Sequence, residues 1–532
     1  MKSLSTFRSR LPNSFPGYLK RCATVDTRSL AVFRMFAGVL IIADVLSRAR
    51  SFHFYYTDDG VVTQALAEQF TRRYAVSIFF FTSDPYVIAA LFIIHALVAI
   101  VLIFGYKTRI ALFISFVFVI SLDHHNPLVT SYADTLFRML LFWALFLPLG
   151  ERWSIDAIHR DRSPRKSIAS FASAAIMIQM IFMYFVNGQN KFPSDLWHSG
   201  EAAIIVMGID EMTFFLGDFM RNFPFFLQIG GRTWFYLLLI SPLLFLIYGR
   251  LRYPLLLGFF GGHASFAITV RIGAFPYVAM LGLITFLQPR FWKDLEAVFA
   301  RMGLSSLLAT WQHDMTRAGT YLAHRLPGKL LEFPGRDVFV RKTLTVLVLV
   351  SMFGLFFMPA FAFSAQGPYL DDNPLPDDNP VENVLDEWNV GQPVWSIFAG
   401  PGPRNGDRYY VFPAQTTDGQ VFDAYNERPL TYERPGDELQ KQHDVYRMRF
   451  YMNSIRRQPH TPNDLLADWY CDEWAAEKGV ELEYINMYTV REHITLETID
   501  DPENRDRRID LISRHSCTDA APIDIDPPDD DF

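Results

Sequence analysis

Residues 184–201 read YFVNGQNKFPSDLWHSGE, and Lys191 stands where a strongly apolar stretch gives out. An amine at an apolar boundary loses solvation, which disfavours its charged form. A neutral amine can take a proton from a weak acid such as a hydroxyl group. A nearby arginine or histidine can stabilise the anion left behind. The candidates for that set are His263, which follows Gly261 and Gly262, together with Arg271 and the Asp134/Arg138 couple. Asp134 and Arg138 are spaced i,i+4 and can pair along one helix face. Asn187, Gln189 and Asn190 flank the lysine, and Trp197 follows in the same stretch. Arg34, Asp44, Asp123, His124, His125 and Asn126 are further polar groups in apolar surroundings. Ionisable groups at membrane depth are costly and face a bundle interior or a watery cavity. Taken singly, the alternative for each is a snorkelling side chain at the lipid boundary. Taken together, Lys191, His263 and Arg138 favour function.

These residues need helices to position them, and the composition supplies helices of a particular kind. Of 532 residues, 50% are hydrophobic and 15% aromatic, with 49 Phe. That is too apolar for an average soluble enzyme, yet mean hydropathy is only slightly positive. Two unlike parts are hidden in that mean. Residues 365–532 carry 35 acidic and 15 basic side chains, net −20, whereas residues 1–364 carry 21 and 34, net +13. Such asymmetry indicates two domains in different surroundings. Apolar segments lie near 29–49, 84–106, 109–122, 132–149, 167–187, 233–248, 252–271, 273–289 and 341–363. Several approach the ~20 residues needed to span ~30 Å of hydrocarbon, so about nine crossings are expected.

Lys and Arg cluster at 107–109, 150–166, 249–252 and 290–340, in alternate loops. Loops 50–83, 123–131, 188–232 and 271–273 carry few for their length. The cytoplasmic side holds the excess of basic residues, so the N-terminus, with segment 1–28, lies inside and the acidic C-terminal part outside. The fold class expected is a polytopic α-helical membrane domain over 29–364, N-in/C-out, followed by a small soluble α+β extracytoplasmic domain. The chain is then a multi-pass integral protein of the cell membrane. Segment 1–28 is basic and Ser-rich without an apolar core, so the first helix directs insertion. Apart from Arg34 and His263, the polar groups fall in the outer half of the bilayer, in one chamber opening outward. An apolar quinol would reach such a site from the lipid.

Residues 365–393 read as an acidic Pro-rich linker. A domain over 394–520 follows. VWSIF at 394–398 looks strand-like, and RYYVFPAQTTDGQVFDAY carries Asp418-Gly419 between alternating segments, a hairpin signal. Residues 441–457 and 461–478 read as helices, and VELEYINMYTVREHIT as a strand. The last stretch, 521–532, reads as a disordered acidic tail. Three cysteines occur, Cys22, Cys471 and Cys517, with no CxxC or Cys/His cluster at metal spacing, so no metal is expected. On an exported domain Cys471 and Cys517 can be bridged or stay as free thiols, and both readings remain open.

Several motifs resemble one family. TRSLAVFRMFAGVLIIADVL, YYTDDGV, FRMLLFWALFLPLGERWSID, YFVNGQNKFPSDLWHSGEA and FGGHASFAITVRIGAFPYVAML look like the HTTM domain, the transmembrane domain shared with vitamin K-dependent gamma-carboxylase. The similarity spans about residues 25–300. It implies that Lys191 is the base that deprotonates a reduced quinone, and that His263 lines the quinone pocket, with Gly273–Phe275 matching a Gly-x-Phe pattern. The carboxylase motif has a second lysine before this one, where Asn190 stands here. The resemblance implies a vitamin K-type or menaquinol cofactor, and an exported protein substrate outside the bilayer. Asp134, Arg138, Asn187, Asn190, Arg271 and Trp197 are then the candidate quinone- or substrate-binding residues.

Three function classes compete. The first is a quinol-dependent oxygenase, epoxidase or carboxylase-like lyase with Lys191 as base. The second is a non-catalytic membrane scaffold or receptor whose acidic outer domain binds partners. The third, a transporter, ranks last, because neither an inverted repeat nor paired broken helices are visible. Nothing in the charge pattern points to nucleic acid.

Overall fold

The computed structural model describes residues 15–71, 75, 77–160, 162–328, 339–357, 359–360, 391–399, 402–457 and 461–528. Every apolar segment expected from the sequence contains a helix: α1 (Thr27–Ala49), α2 (Pro85–Phe104), α3 (Thr108–His125), α4 (Tyr132–Ala144), α5 (Phe171–Lys191), α6 (Pro224–Leu239), α7 (Tyr253–Thr269), α8 (Phe275–Ile284) and α9 (Phe339–Met352). Among the described residues, α1, α2, α3 and α5 are long and apolar enough to cross a membrane as single helices.

Their ends are written in the sequence. The Asp26 side chain accepts from the N–H of Arg28 at the start of α1. Asp84 caps α2, Pro85 opens it, and Gly105 closes it at φ 68°, where a side chain would be strained. Ser131 with Asp134, and Ser170 with Ser173, form capping boxes for α4 and α5. α1 packs on α2 and α8, while α5 is embraced by α4, α6, α8 and α9. Ile93, Leu97 and Phe104 of α2 point outward and leave an apolar face of the helix exposed, an arrangement that marks an interaction surface.

Among the described residues up to 357, helices predominate, with one short antiparallel pair between Val25–Asp26 and Ser167–Ile168, and a sheet dominates the C-terminal part. Its strands are β1 (Gly406–Val411), β2 (Pro413–Thr416), β3 (Val421–Asp423), β4 (Arg428–Pro429), β5 (Leu482–His493) and β6 (Asp506–Ser516). β5 is the centre: β6 runs along one side, and β1 and β2 share the other, all antiparallel. The Asp418-Gly419 turn joins β2 to β3 as expected, with Gly419 at φ 85°. Helices α10 (Tyr446–Arg457) and α11 (Thr461–Trp469) cover the sheet, and one hydrophobic core runs from the helical part through Trp395 and Tyr451 to Met487. Cys471 and Cys517 are joined by a disulfide, with Cα atoms 5.5 Å apart, which settles the choice left open by the sequence.

Two expectations are corrected here. VWSIF is not a strand, because residues 391–399 lie without sheet partners against the helical part. The tail is not loose from residue 521. Ile525 is buried, Tyr432 donates to the Asp526 carbonyl at 3.0 Å, and Asn486 donates to the Ile523 carbonyl at 3.1 Å. Ile525, between two aspartates, gives that stretch apolar area to bury, which its acidic composition conceals. Residues 529–532 and most of the 365–393 linker lie outside the described residues.

Candidate functional site

Tyr184, Asn187 and Lys191 are spaced i, i+3 and i+7 on α5, so helical geometry lays them on one face. Together with α6 and α7 that face lines a cavity of about 470 Å³. Most of the wall is apolar, including Met183, Leu237, Phe266 and Phe275. α7 contributes Gly258, Gly261 and Gly262. A Cβ on Gly262 would lie 2.4 Å from Cζ3 of Trp234, so only glycine lets that indole lie against the helix. A second cleft, of about 440 Å³, is rimmed by Glu201, Glu497, Asp500 and Asp501 and shares only Leu227 with the cavity wall.

Lys191 is 2% exposed. Its Nζ donates to Asn187 Oδ1 at 2.8 Å and to the backbone carbonyl of Ile397, and lies 4.6 Å from the centroid of the Trp197 ring. Among the described residues its partners are thus carbonyl oxygens and an aromatic face, not a carboxylate. Deeper in the cavity, the Tyr184 hydroxyl and His263 Nε2 are 2.8 Å apart, and the His263 ring stands edge-on to Trp234. Neither His263 Nδ1 nor Trp197 Nε1 has a partner among the described residues. Buried polar atoms without partners are uncommon, and here both belong to side chains lining the cavity.

The Lys191 end is roofed by a strap, residues 391–399. Asn187 Nδ2 donates to the carbonyls of Trp395 (2.7 Å) and Ile397 (3.0 Å), and Asn190 Nδ2 to that of Val394 (2.8 Å). Gln179 and Gln392 exchange amide hydrogen bonds at 3.2 and 2.8 Å. The Trp395 ring stacks on Tyr132, and Trp395 Nε1 donates to Gln392 Oε1 at 2.8 Å. Ile397 and Phe398 complete the cavity wall. Trp395 and Phe398 have φ of 50° and 53°, a region that costs a non-glycine residue about 1 kcal/mol or more and persists where neighbours over-determine it.

The single polar chamber expected from the sequence is divided in the structure. Lys191, Asn187, Trp197 and His263 share the cavity, whereas Asn190 faces the strap. Asp134 and Arg138 do not pair with each other. Arg138 reaches Asp123 at 2.5 Å, and Asp134 meets Arg48 (3.3 Å) and Arg447 (3.1 Å) while capping its own helix through Ser131. Arg48 also binds Asp44 (2.8 Å) and Asp123 (2.6 Å). The i,i+4 couple loses because Asp134 sits in the first turn, turned back to its cap, and a buried arginine from another helix offers a desolvated partner. Arg271 donates to the Gln440 carbonyl at 2.5 Å, at the contact with the C-terminal domain. Arg34 donates to four backbone carbonyls, those of Ile103, Leu149, Arg152 and Trp153, and holds loops together.

Sequence reasoning missed Tyr184, Trp234 and the strap. The i, i+3, i+7 spacing of Tyr184, Asn187 and Lys191 was a usable signal for the first. Nothing local marks the strap, since its hydrogen-bond partners lie about two hundred residues away in the chain.

Comparison with curated proteins and with solved structures finds no match. The HTTM domain family matches residues 22–292, just over half of the chain, which includes Lys191, Tyr184 and His263. With its apolar helices and this match, the chain is a membrane protein that belongs to the HTTM-domain family.

Proposed function

We propose that the cavity binds an apolar molecule bearing a weakly acidic hydroxyl, a reduced quinone, and that Lys191 is the base that removes its proton. The observation that carries this reading is the setting of Nζ: buried at the head of an apolar cavity, with Asn187 Oδ1 and the Ile397 carbonyl as its hydrogen-bond acceptors. Two acceptors match the two hydrogens of a neutral amine and leave its lone pair for a third party. The cavity fits a quinone ring by its apolar wall, and by Trp197 Nε1 and His263 Nδ1 as polar atoms without protein partners. A reduced quinone, once bound, supplies the acidic hydroxyl and the reducing electrons. Asn187 orients Nζ, Trp197 holds the ammonium formed there against its ring face, and the strap excludes water. We place the N-terminus and the basic loops inside and the C-terminal domain outside, on the Lys and Arg asymmetry, with about nine crossings.

The test is quinol-dependent oxygen uptake and quinone epoxide formation by the purified protein with menaquinol. Lys191→Met abolishes turnover while retaining quinone binding, followed by quenching of tryptophan fluorescence. Turnover unchanged in Lys191→Met, or none in the wild type, refutes the assignment and favours the scaffold reading.

A further inference from the structure

Three ionic clusters tie the helical part to the C-terminal domain, and their charges balance differently. In the first, Asp44, Asp123 and Asp134 meet Arg48, Arg138 and Arg447. In the second, Asp210, Asp407, Glu433 and Glu492 meet Arg221, Arg434, Arg505 and Arg507. Among the described residues, each has as many carboxylates as guanidinium groups. Among the described residues, the third has one carboxylate of its own, Glu211, among Arg404, Arg408 and Arg449, with His443 and Arg271 next to them and Asp407 of the second cluster acting on Arg404 more weakly than Glu211 does.

Arg404 Nη2 holds Glu211 Oε2 at 2.5 Å. On the other side, Arg449 Nη1 and His443 Nε2 stand 3.9 and 4.0 Å from Oε1, beyond hydrogen-bond reach. His443 is 3% exposed, and its Nδ1 lies 2.9 Å from the Tyr425 hydroxyl. Its Nε2, and the Nε atoms of Arg404, Arg408 and Arg449, have no partner among the described residues. Arg408 donates to Asn453 Oδ1 at 2.9 Å, and Arg271 to the Gln440 carbonyl, both neutral acceptors.

A surplus of guanidinium groups is harmless where water solvates it. Glu151 also has three arginines, Arg160, Arg162 and Arg165, but their side chains are 28, 50 and 52% exposed. Around Glu211, Arg449 is only 11% and Arg404 24% exposed. Uncompensated charge in such a place is expensive. Burial raises the Glu211 carboxyl, but Arg404, Arg449 and Arg408 outweigh it and hold the group down to about 2. Burial pushes His443 down to about 3, so its ring is neutral at neutral pH and free to donate from Nε2.

We propose that this cluster is a binding site for a carboxylate or small oxyanion, which supplies the counter-charge that Glu211 alone does not. Guanidinium donors match carboxylate oxygens in forked geometry, and the hold of Arg404 on Glu211 shows that a carboxylate fits there. Arg404, a quarter exposed, marks the way in. The site adjoins the cavity, because Arg271 stands between Val270 and Ile272, both in the cavity wall. An anion here and an apolar ligand there sit on opposite sides of one wall. This inference goes beyond the base reading of Lys191 and does not depend on it.

The experiment uses the full chain in nanodiscs, with melting followed at constant ionic strength as chloride is exchanged for acetate. Acetate raises the melting temperature, because a ligand of the folded state stabilises it. Arg449→Gln and Arg404→Gln each raise the half-saturating acetate concentration about tenfold. Glu211→Gln, without the resident competitor, lowers it by a similar factor. Lys191→Met leaves it unchanged, so the two readings fail separately. A capped dipeptide carrying one side-chain carboxylate, set against its amide, distinguishes the sources. Tighter binding than acetate indicates a carboxylate carried on a chain, and weaker binding a free small acid. If acetate and chloride act alike on both the wild type and Glu211→Gln, the proposal is wrong, even where the arginine variants fail to fold.

Discussion

Asn187 joins the strap to Lys191, so replacing it separates the two. In Asn187→Leu, three hydrogen bonds vanish at near-constant volume: those from Nδ2 to the Trp395 and Ile397 carbonyls and that from Lys191 Nζ to Oδ1. The Ile397 carbonyl and Nζ keep each other. The Trp395 carbonyl is left buried and unpaired, which costs about 1–3 kcal/mol, and the two weakened groups lose about 0.5–1.5 kcal/mol each. The added apolar contact of leucine returns about 1 kcal/mol. A net loss of about 3 kcal/mol raises the population of strap-open molecules on the order of a hundredfold.

Hydrogen exchange resolved by mass spectrometry reads this directly, since exchange of buried amides follows local opening. The peptide spanning 391–399 speeds up on the order of a hundredfold, while peptides from α1 and α3 do not change. Asn190→Leu serves as the internal scale. It removes one hydrogen bond, to Val394, and its Oδ1 already lacks a partner, so its effect is about 1 kcal/mol, or roughly fivefold. Equal effects of the two substitutions, or no effect of Asn187→Leu, would mean that the strap is held by its own conformation and the Trp395 stack.

Other consequences are equally concrete. Gly262→Val drives a side chain into Trp234, closes the cavity and costs about 1–3 kcal/mol, checked by melting and by loss of quinone-dependent fluorescence quenching. Arg447→Met leaves Asp44 and Asp134 short of a counter-ion in a buried network and lowers stability by about 3–5 kcal/mol in denaturant titration. Reducing the Cys471–Cys517 bridge, which spans a sequence separation of 46, costs about 4 kcal/mol of C-terminal-domain stability by loop entropy, read as a lower melting point with reductant. Glu211, held at about 2 against an ordinary 4.5, contributes stability above pH 4.5 that is lost as pH falls through 2. That contribution is about 3 kcal/mol, and acid titration of Glu211→Gln shows this part of the slope missing.

What the sequence revealed and what it hid differ in range. Apolar runs and the Asp418-Gly419 turn are decided within a few residues and appear where expected, and the capping boxes of α4 and α5 are equally local. The end of α5 was equally legible, because apolar residues stop and NGQNK begins. Partner choice is decided by the whole fold. VWSIF alternates like a strand, yet Asn187 and Asn190 take its carbonyls, so no ladder forms. Asp134 and Arg138 have the right spacing to pair, yet Arg447, some three hundred residues on, claims Asp134. The same long-range choice separates chemistry from architecture. Arg48, Arg138 and Arg447 spend their charge on aspartates and hold helices together. Lys191 is buried as deeply but is given carbonyls and an indole face, partners that suit an amine changing its protonation state. A lysine kept only as an anchor would need neither the Asn187 latch nor a cavity before it, and a lysine kept for a structural ion pair would have its carboxylate.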